Sequence, residues 1–265
     1  MTATSFTALI ETVAAAGGES RAAVPEDWLQ GRTAYGGLSA ALALAAARAA
    51  SPDLPPLRTA QLAFLGPSAG ALTMRAETLR AGRSMTFVGV DAVGEAGPCT
   101  RALFGFGADR VSEIDYDDVP MPDVPPPEEL PEWDFRARGG PAFLQHYEVR
   151  GAAGALPFSG AEEARFLLWV RHRDEAARAG EGALLALADA PPPAFLSMLT
   201  TPAPTASVTW QADFLTDAHD SPGGWYLCGS TGDAAVNGYG GQSQMVWAAD
   251  GEPVVAARQC CVVFG

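Results

Sequence analysis

The feature that most constrains the fold is a repetition: a helical stretch and several strand-like stretches occur twice along the 265 residues. The two copies are separated by residues 109–141, which are rich in acidic residues and in proline, including Pro125, Pro126 and Pro127. This composition is typical of an extended linker. We therefore predict two modules of one architecture, spanning residues 1–108 and 142–265.

The first copy has the pattern of one helix followed by antiparallel strands. Gly36-Gly37 opens a run of alanine and leucine in which Leu38, Leu42 and Ala45 share one helical face, and Ser51-Pro52 ends it. A helix followed by strands, with no helix between them, favours a sheet wrapped around a central helix. Glycine-bearing turns separate four predicted strands, at 57–65, 71–80, 84–93 and 99–106.

The second copy repeats this order and differs in one polar position. Aligning Gly94-Glu95 with Gly251-Glu252 places Ala102 against Gln259, so the second half gains a polar group that the first lacks. We predict that one half carries chemistry while the other shapes a pocket. The predicted class is α+β, with each module a long helix wrapped by an antiparallel sheet. The helix is predicted near 182–199, and the strands at 143–150, 165–173, 205–215, 225–230, 242–249 and 254–264.

Composition excludes several kinds of chemistry. All 17 basic residues are arginine, which rules out a Schiff-base lysine, a P-loop lysine and a Ser-Lys dyad. The formal net charge of −14 argues against a nucleic-acid partner. Four cysteines without a CxxC pair and three widely spaced histidines predict no metal site, no disulfide framework and a reducing compartment.

The apolar segments do not predict export or membrane insertion. The N-terminus carries Glu11 and has no basic residue before its short apolar stretch, unlike a signal peptide. The most apolar run, 38–47, has about half of the roughly 20 residues that a bilayer span needs. We expect a core helix there and a cytoplasmic protein.

Motifs in both halves are similar to those of one known family. They are WLQGRTAYGGLSAALALAAAR at 28–48, FLGP at 64–67, LRAGRS at 79–84, HYEVR at 146–150, LWVR at 168–171, Asp250-Gly251, Val255-Ala256 and Gln259. Together these segments resemble the acyl-CoA thioesterase II family, in which two hotdog modules are fused in one chain. The resemblance implies hydrolysis of an acyl-CoA substrate without a metal or a bound cofactor.

The resemblance also implies a catalytic set in the second half. Family members hold the attacking water with an Asp, a Ser or Thr, and a Gln, which fall here on Asp189, Ser207 and Gln259, with Thr205 on the same strand face as the alternative hydroxyl. These residue types suit the reaction, since a carboxylate can act as base while a hydroxyl and an amide orient a water. The candidates for the oxyanion and substrate site are Gly36, Gly37, Tyr35, Arg80 and Arg83.

Each candidate also has a plain structural interpretation. Asp189 precedes Pro191-Pro192-Pro193, where the family continues toward a helix, and this position suits an N-cap. Gln259 and Ser207 fit ordinary strand positions, the glycine pair fits close helix packing, and the arginines fit solvated turns.

Two other functions stay open at this point. One is a non-catalytic acyl-CoA-binding protein, which the prolines beside Asp189 favour. The other is a hotdog enoyl-CoA hydratase, which needs an Asp–His pair, whereas none of His146, His172 and His219 lies near a predicted helix. We also expect a homodimer or larger homo-oligomer, because exposed sheet edges tend to pair.

Overall fold

The computed structural model describes residues 3–16, 18–135 and 139–264. In the first half, helix α1 spans Phe6–Glu11 and helix α2 spans Gly36–Ala50. The strands of this half are β1 (Ala14–Ala16), β2 (Glu19–Val24), β3 (Leu29–Gln30), β4 (Thr33–Ala34), β5 (Leu57–Phe64), β6 (Gly70–Ala81), β7 (Thr86–Gly94) and β8 (Gly97–Phe106).

The second half has the same order of main elements. Its strands are β9 (Tyr147–Gly154), β10 (Arg165–His172), β11 (Thr205–Phe214), β12 (Tyr226–Val236), β13 (Tyr239–Ala248) and β14 (Pro253–Val263), with helix α3 (Glu181–Ala188) between β10 and β11. No helix in the described parts of the chain is long and apolar enough to cross a membrane.

One antiparallel sheet of twelve strands runs through both halves. Its order is β1-β2-β6-β7-β8-β5-β11-β14-β13-β12-β10-β9, so the second half repeats the order of the first outward from the centre. At the centre, Gln61 on β5 pairs with Gln211 on β11. The predicted antiparallel sheets are confirmed, while the exact boundaries of the two modules stay a prediction.

Three β-bulges recur at matching places in the two halves. A bulge adds one residue to a strand and changes which face the following side chains take, so a shared set of bulges means a shared register. The pairs of register shifts are 57/59 and 207/209, 78/80 and 232/234, and 92/93 and 246/247.

This register corrects the alignment of the two halves. When the two halves are aligned on the third pair of bulges, two cross-strand pairs correspond. They are Val88–Phe104 in the first half and Gln242–Gln259 in the second. Gln259 therefore corresponds to Phe104 and not to Ala102, because the loop between β13 and β14 is longer than the turn between β7 and β8. The second half still has a polar group where the first has none.

The prediction of two long helices is wrong for the second half. α3 has eight residues and ends at Ala188, and a short 3-10 turn at Ala194–Ser197 follows. The three prolines at 191–193 explain the break, since proline has no N–H to donate and its ring clashes with the preceding helical turn.

α2 and α3 pack side by side in antiparallel directions beneath the sheet. Gly37 at the start of α2 lies against Ala186 near the end of α3, while Arg48 near the end of α2 pairs with Glu181 at the start of α3. Most of α2 is buried, which fits an Ala/Leu helix that is apolar on all sides. The two helices and the inner face of the sheet thus form one continuous core.

Part of the predicted linker covers the outer face of the second half. We call residues 119–130 the strap. Trp247 Nε1 donates to the Val119 carbonyl at 2.7 Å, and Trp169 Nε1 donates to the Pro125 carbonyl at 2.9 Å. Apolar side chains of the strap pack against the hydrophobic cluster that contains these two tryptophans. The strap is therefore an ordered cover rather than a free spacer.

The Arg48–Glu181 pair is expected to stabilise the far end of the helix pair. Arg48 Nε lies 2.6 Å from Glu181 Oε1, and Nη2 lies 2.8 Å from Oε2, with both side chains mostly buried. We predict that Arg48→Met lowers the free energy of unfolding in urea by roughly 2–3 kcal/mol, because it leaves a partly buried carboxylate without its cation.

Arg75→Met is the matched control, since Arg75 is 76% exposed in its pair with Glu19. We expect it to cost less than about 1 kcal/mol. Equal losses in the two variants would contradict a structural role for the helix-end pair.

Candidate active site

Asp189 lies where the two helices approach most closely. It follows the last residue of α3 and is 8% exposed. A Cβ placed on Gly36 would lie 2.6 Å from Asp189 Oδ2, and one placed on Gly37 would overlap the Ala186 carbonyl oxygen. The Gly37 backbone N–H donates to the Asp189 carboxylate. The glycine pair therefore lets a helix N-terminus, with its unpaired N–H groups, contact a buried carboxylate.

Gln259 joins Asp189 to Ser207. Its Nε2 donates to Asp189 Oδ1 at 2.7 Å and to Ser207 Oγ at 2.9 Å. The bulge between Ser207 and Thr209 turns the half-buried Ser207 to the inner face, where its partner Cys261 is buried. Three residues from separate elements thus meet at one point.

Thr205 is further from this point along β11. It pairs with Val263, at the end of the strand. Among the described contacts it makes no hydrogen bond with Asp189 or Gln259. Ser207 is the hydroxyl that contacts the glutamine, while the role of either residue in a reaction stays a prediction.

The environment of Asp189 favours its neutral form. Burial raises the pKa of Asp189 to about 7, opposed by the hydrogen bonds from Gly37 and Gln259. The charge of Asp189 acts on Tyr35, Tyr147 and Cys261, and burial raises the pKa of each above its usual value. Asp189 is therefore the group at this point that exchanges a proton near neutral pH.

A second buried glutamine extends the contact network. Gln242 on β13 donates from Nε2 to Gln259 Oε1 at 2.6 Å, and its own Oε1 accepts from the Ala194 backbone N–H at 2.7 Å. Sequence reasoning missed this residue. The available signal was the alternation of Gln242 and Gln244 on one face of a predicted strand.

Of the other three predicted site residues, Tyr35 lies in the core near Asp189, and the two arginines lie elsewhere. Tyr35 is 1% exposed, and its hydroxyl bonds the Tyr147 hydroxyl within the core. Arg80 and Arg83 are exposed residues at the turn end of the β6–β7 hairpin. In the sheet, three strands separate β6 from β11, which carries Ser207. The structure does not bring the two arginines to Asp189, and their contact with a substrate stays a prediction.

His172 lies closer to a helix than the sequence suggested. Its Nε2 is 2.9 Å from the Ala183 carbonyl of α3, so the expectation that no histidine lies near a helix is wrong. Burial lowers the pKa of His172 to about 4. Its described hydrogen bond is to Ala183 and not to Asp189, and the two do not form an Asp–His pair.

A groove of about 670 Å³ is a separate feature of the second half. It is lined by residues that include Leu167, Gly229, Thr231, Met245 and Trp247. Asp189, Ser207 and Gln259 do not line it. The groove is therefore not the site around the buried carboxylate.

Both halves match families of known proteins. Residues 24–107 match the family described as acyl-CoA thioesterase N-terminal domain, and residues 122–263 match the acyl-CoA thioesterase C-terminal domain. No curated protein matches the chain significantly.

Solved structures share the fold over nearly the whole chain. A conserved protein of unknown function with a hot dog fold from Alicyclobacillus acidocaldarius is 24% identical, with a TM-score of 0.88 over 99% of both chains. A putative thioesterase II from Thermobifida fusca is 21% identical, with a TM-score of 0.81 over 98% of this chain and 97% of that one. An acyl-CoA thioesterase II from Mycobacterium marinum is 20% identical, with a TM-score of 0.71 over 94% of both. These similarities show the hotdog fold.

The raised pKa of Asp189 predicts a dependence of stability on pH. An aspartate in the unfolded chain has a pKa of about 3.9, so from about pH 4 to about pH 7 the unfolded state loses a proton that the folded state keeps. Wild-type stability should therefore fall across this window relative to Asp189→Asn, by on the order of 3–4 kcal/mol in total. Urea denaturation of both proteins from pH 4 to pH 8 measures the difference, and parallel curves would contradict the raised pKa.

Proposed function

The chain belongs to the acyl-CoA thioesterase family, and from this premise we propose that it hydrolyses acyl-CoA thioesters to a free acid and CoA. We propose a water held by Asp189, Ser207 and Gln259 as the nucleophile. The observation that carries the proposal is the contact of all three residues around a buried carboxylate whose pKa is raised to about 7. A general base works best when its pKa is near the operating pH.

Each residue has a distinct part in the proposed reaction. Asp189 takes a proton from the water while the oxygen of the water attacks the thioester carbonyl carbon. The tetrahedral intermediate then collapses, the C–S bond breaks, and the CoA sulfur leaves with the proton from Asp189. A thiol has a pKa near 8.5, so its sulfur is a good leaving group.

We infer the donors in this scheme from the hydrogen bonds. Gln259 donates to both Asp189 and Ser207, so the Ser207 hydroxyl hydrogen is directed elsewhere and is the donor for the water or the developing oxyanion. The Gly37 N–H, which the sequence suggested for the oxyanion, donates to Asp189 instead. We therefore assign Gly37 to holding the base.

We propose one site in each chain. The first-half counterparts of Ser207 and Gln259 are Leu57 and Phe104, both fully buried and apolar. The opposite end of the helix pair is closed by Arg48 and Glu181. Neither feature supplies a base next to a hydroxyl and an amide.

Release of free thiol from a panel of acyl-CoAs, short to long and straight to aromatic, tests the activity. We expect the wild type to release thiol, and Asp189→Asn and Gln259→Leu to lower kcat by on the order of 100-fold or more, because each loses a proton-transfer or orienting group. Thermal unfolding checks that the variants fold.

Ser207→Ala and Thr205→Val form a matched pair on one strand. We expect a large loss of kcat only for Ser207→Ala, and the reverse result would assign the site to Thr205. Full turnover by the Asp189 and Gln259 variants would contradict the site. If the wild type bound acyl-CoA without turnover, the result would support the alternative of a non-catalytic acyl-CoA-binding protein.

The pH dependence of the rate gives a second test. Because Asp189 must be ionised to accept a proton, kcat/KM should rise with pH and level off above a midpoint of about 7. Tyr35, Tyr147 and Cys261 stay protonated through this range, since the pKa of each is raised. A midpoint near 4 would contradict Asp189 as the base.

A further inference from the structure

We propose that Gln242 is a positioning residue, which fixes the side-chain amide of Gln259 so that both Nε2 hydrogens point at Asp189 and Ser207. The effect of this amide orientation on turnover rests on the proposed function, whereas the orientation itself does not. Gln242 contacts neither Asp189 nor Ser207 in the described hydrogen bonds, so it acts through Gln259.

The direction of the hydrogen bonds follows from one unambiguous donor. The backbone N–H of Ala194 can only donate, so the atom of Gln242 that faces it is Oε1. Gln242 must then present Nε2 to Gln259, whose Oε1 accepts at 2.6 Å. Gln259 is left with Nε2 facing the carboxylate and the hydroxyl. A main-chain N–H thus sets the direction of every bond up to Asp189.

An amide without such a partner can exchange its two ends. Rotation by 180° swaps oxygen and nitrogen with almost no change in shape. An ionised Asp189 accepts hydrogen bonds only and so favours the Nε2 end of Gln259. Once Asp189 has taken a proton, its hydroxyl can donate to the oxygen end, and the carboxyl group no longer selects one orientation. Gln242 holds the amide in the same orientation in both protonation states.

Burial makes this contact hard to replace. Gln242 is 0% exposed and Gln259 is 4% exposed, so solvent has little access to the amide ends if either loses its partner. The corresponding pair in the first half is Val88 and Phe104. The strand geometry therefore accepts an apolar pair at this place, and the two glutamines occur in the half that contains Asp189.

The broken helix supplies the donor for Gln242. In a continuous helix the Ala194 N–H would bond the carbonyl four residues earlier, but the prolines at 191–193 end that pattern. The next residue, Phe195, lies on the sheet, where a Cβ on Gly232 or on Gly240 would be 2.6 Å from its ring. Gly232 is the β12 partner of Gln242. Small residues on the sheet thus let this segment come close enough to bond Gln242.

Gln242→Leu tests the proposal against Gln244→Leu as the matched control. Gln244 lies two residues further on the same face, is 4% exposed, and accepts a hydrogen bond from Trp210 Nε1 at 3.0 Å. Both variants lose buried hydrogen bonds, but only Gln242→Leu loses a hydrogen bond to Gln259. We expect kcat to fall on the order of 10- to 100-fold in Gln242→Leu, with KM changed less than about threefold. Gln244→Leu should keep both constants within about threefold of wild type.

Gln242→Glu adds a readout that packing alone would not move. A protonated Glu can accept from Ala194 and donate to Gln259 Oε1, whereas an ionised one presents only acceptors. The kcat of this variant relative to wild type should therefore be highest at low pH and fall as pH rises. If Gln242→Leu does not fold, this ratio carries the test, and a ratio independent of pH would overturn the proposal.

Side-chain amide NMR separates this inference from the proposed function. The chain has seven glutamines, and the Gln259 signals are identified by their loss in Gln259→Leu. We expect these signals to shift more in Gln242→Leu, which removes a hydrogen bond to Gln259, than in Gln244→Leu, which frees only the Trp210 Nε1 donor. Unchanged Gln259 signals in Gln242→Leu, wild-type kcat in that variant, or equal kcat losses in both leucine variants would each overturn the role of Gln242. If the wild type releases no thiol, the proposed function fails, and the NMR result alone decides the orientation of Gln259.

Discussion

The site depends on the close approach of α2 and α3, and that approach depends on two glycines. A side chain at Gly36 or Gly37 would occupy space now held by Asp189, Ala186 and neighbouring rings. Because the helices are antiparallel, the start of α2 meets the end of α3, and the partial positive charge of one terminus lies beside a carboxylate. The same geometry puts Arg48 beside Glu181 at the other end. One end of the helix pair is closed by an ion pair, while the other keeps a buried acid without a cation among the described residues.

Burial affects the carboxyl group of Asp189 and the side-chain amides of the two glutamines in different ways. It raises the pKa of Asp189 toward neutrality, which suits proton transfer. It also makes each unpaired amide costly, so the glutamines need a complete set of partners. The run from Ala194 through Gln242 and Gln259 meets that need and ends on the carboxylate. The same burial therefore raises the pKa of the acid and requires the continuous hydrogen bonds of the amides.

Part of this could be predicted from the sequence, and the failures have physical causes. Alternating strands and the Ala/Leu helix follow from local periodicity. The resemblance named Asp189, Ser207 and Gln259, which the structure places in contact, while their catalytic roles stay a prediction. The prediction of a long second helix was wrong because three prolines interrupt an otherwise favourable apolar pattern. The alignment of Gln259 with Ala102 failed because loop lengths differ between the halves and bulges leave no clear sequence signal. Gln242 was missed because its importance lies in a tertiary contact with a main-chain N–H, which periodicity cannot show.

Joining two modules in one chain removes a restriction that identical subunits impose. In a symmetric dimer of one module, every substitution appears twice, so a residue that improves one site is also placed at the other. Here the equivalent positions have diverged: Phe104 and Val88 fill the core, while Gln259 binds the acid and Gln242 binds Gln259. One half is free to favour stability and the other to tolerate costly buried polar groups. Two halves in one chain can therefore divide the demands of folding and of a buried polar site between them within a single continuous sheet.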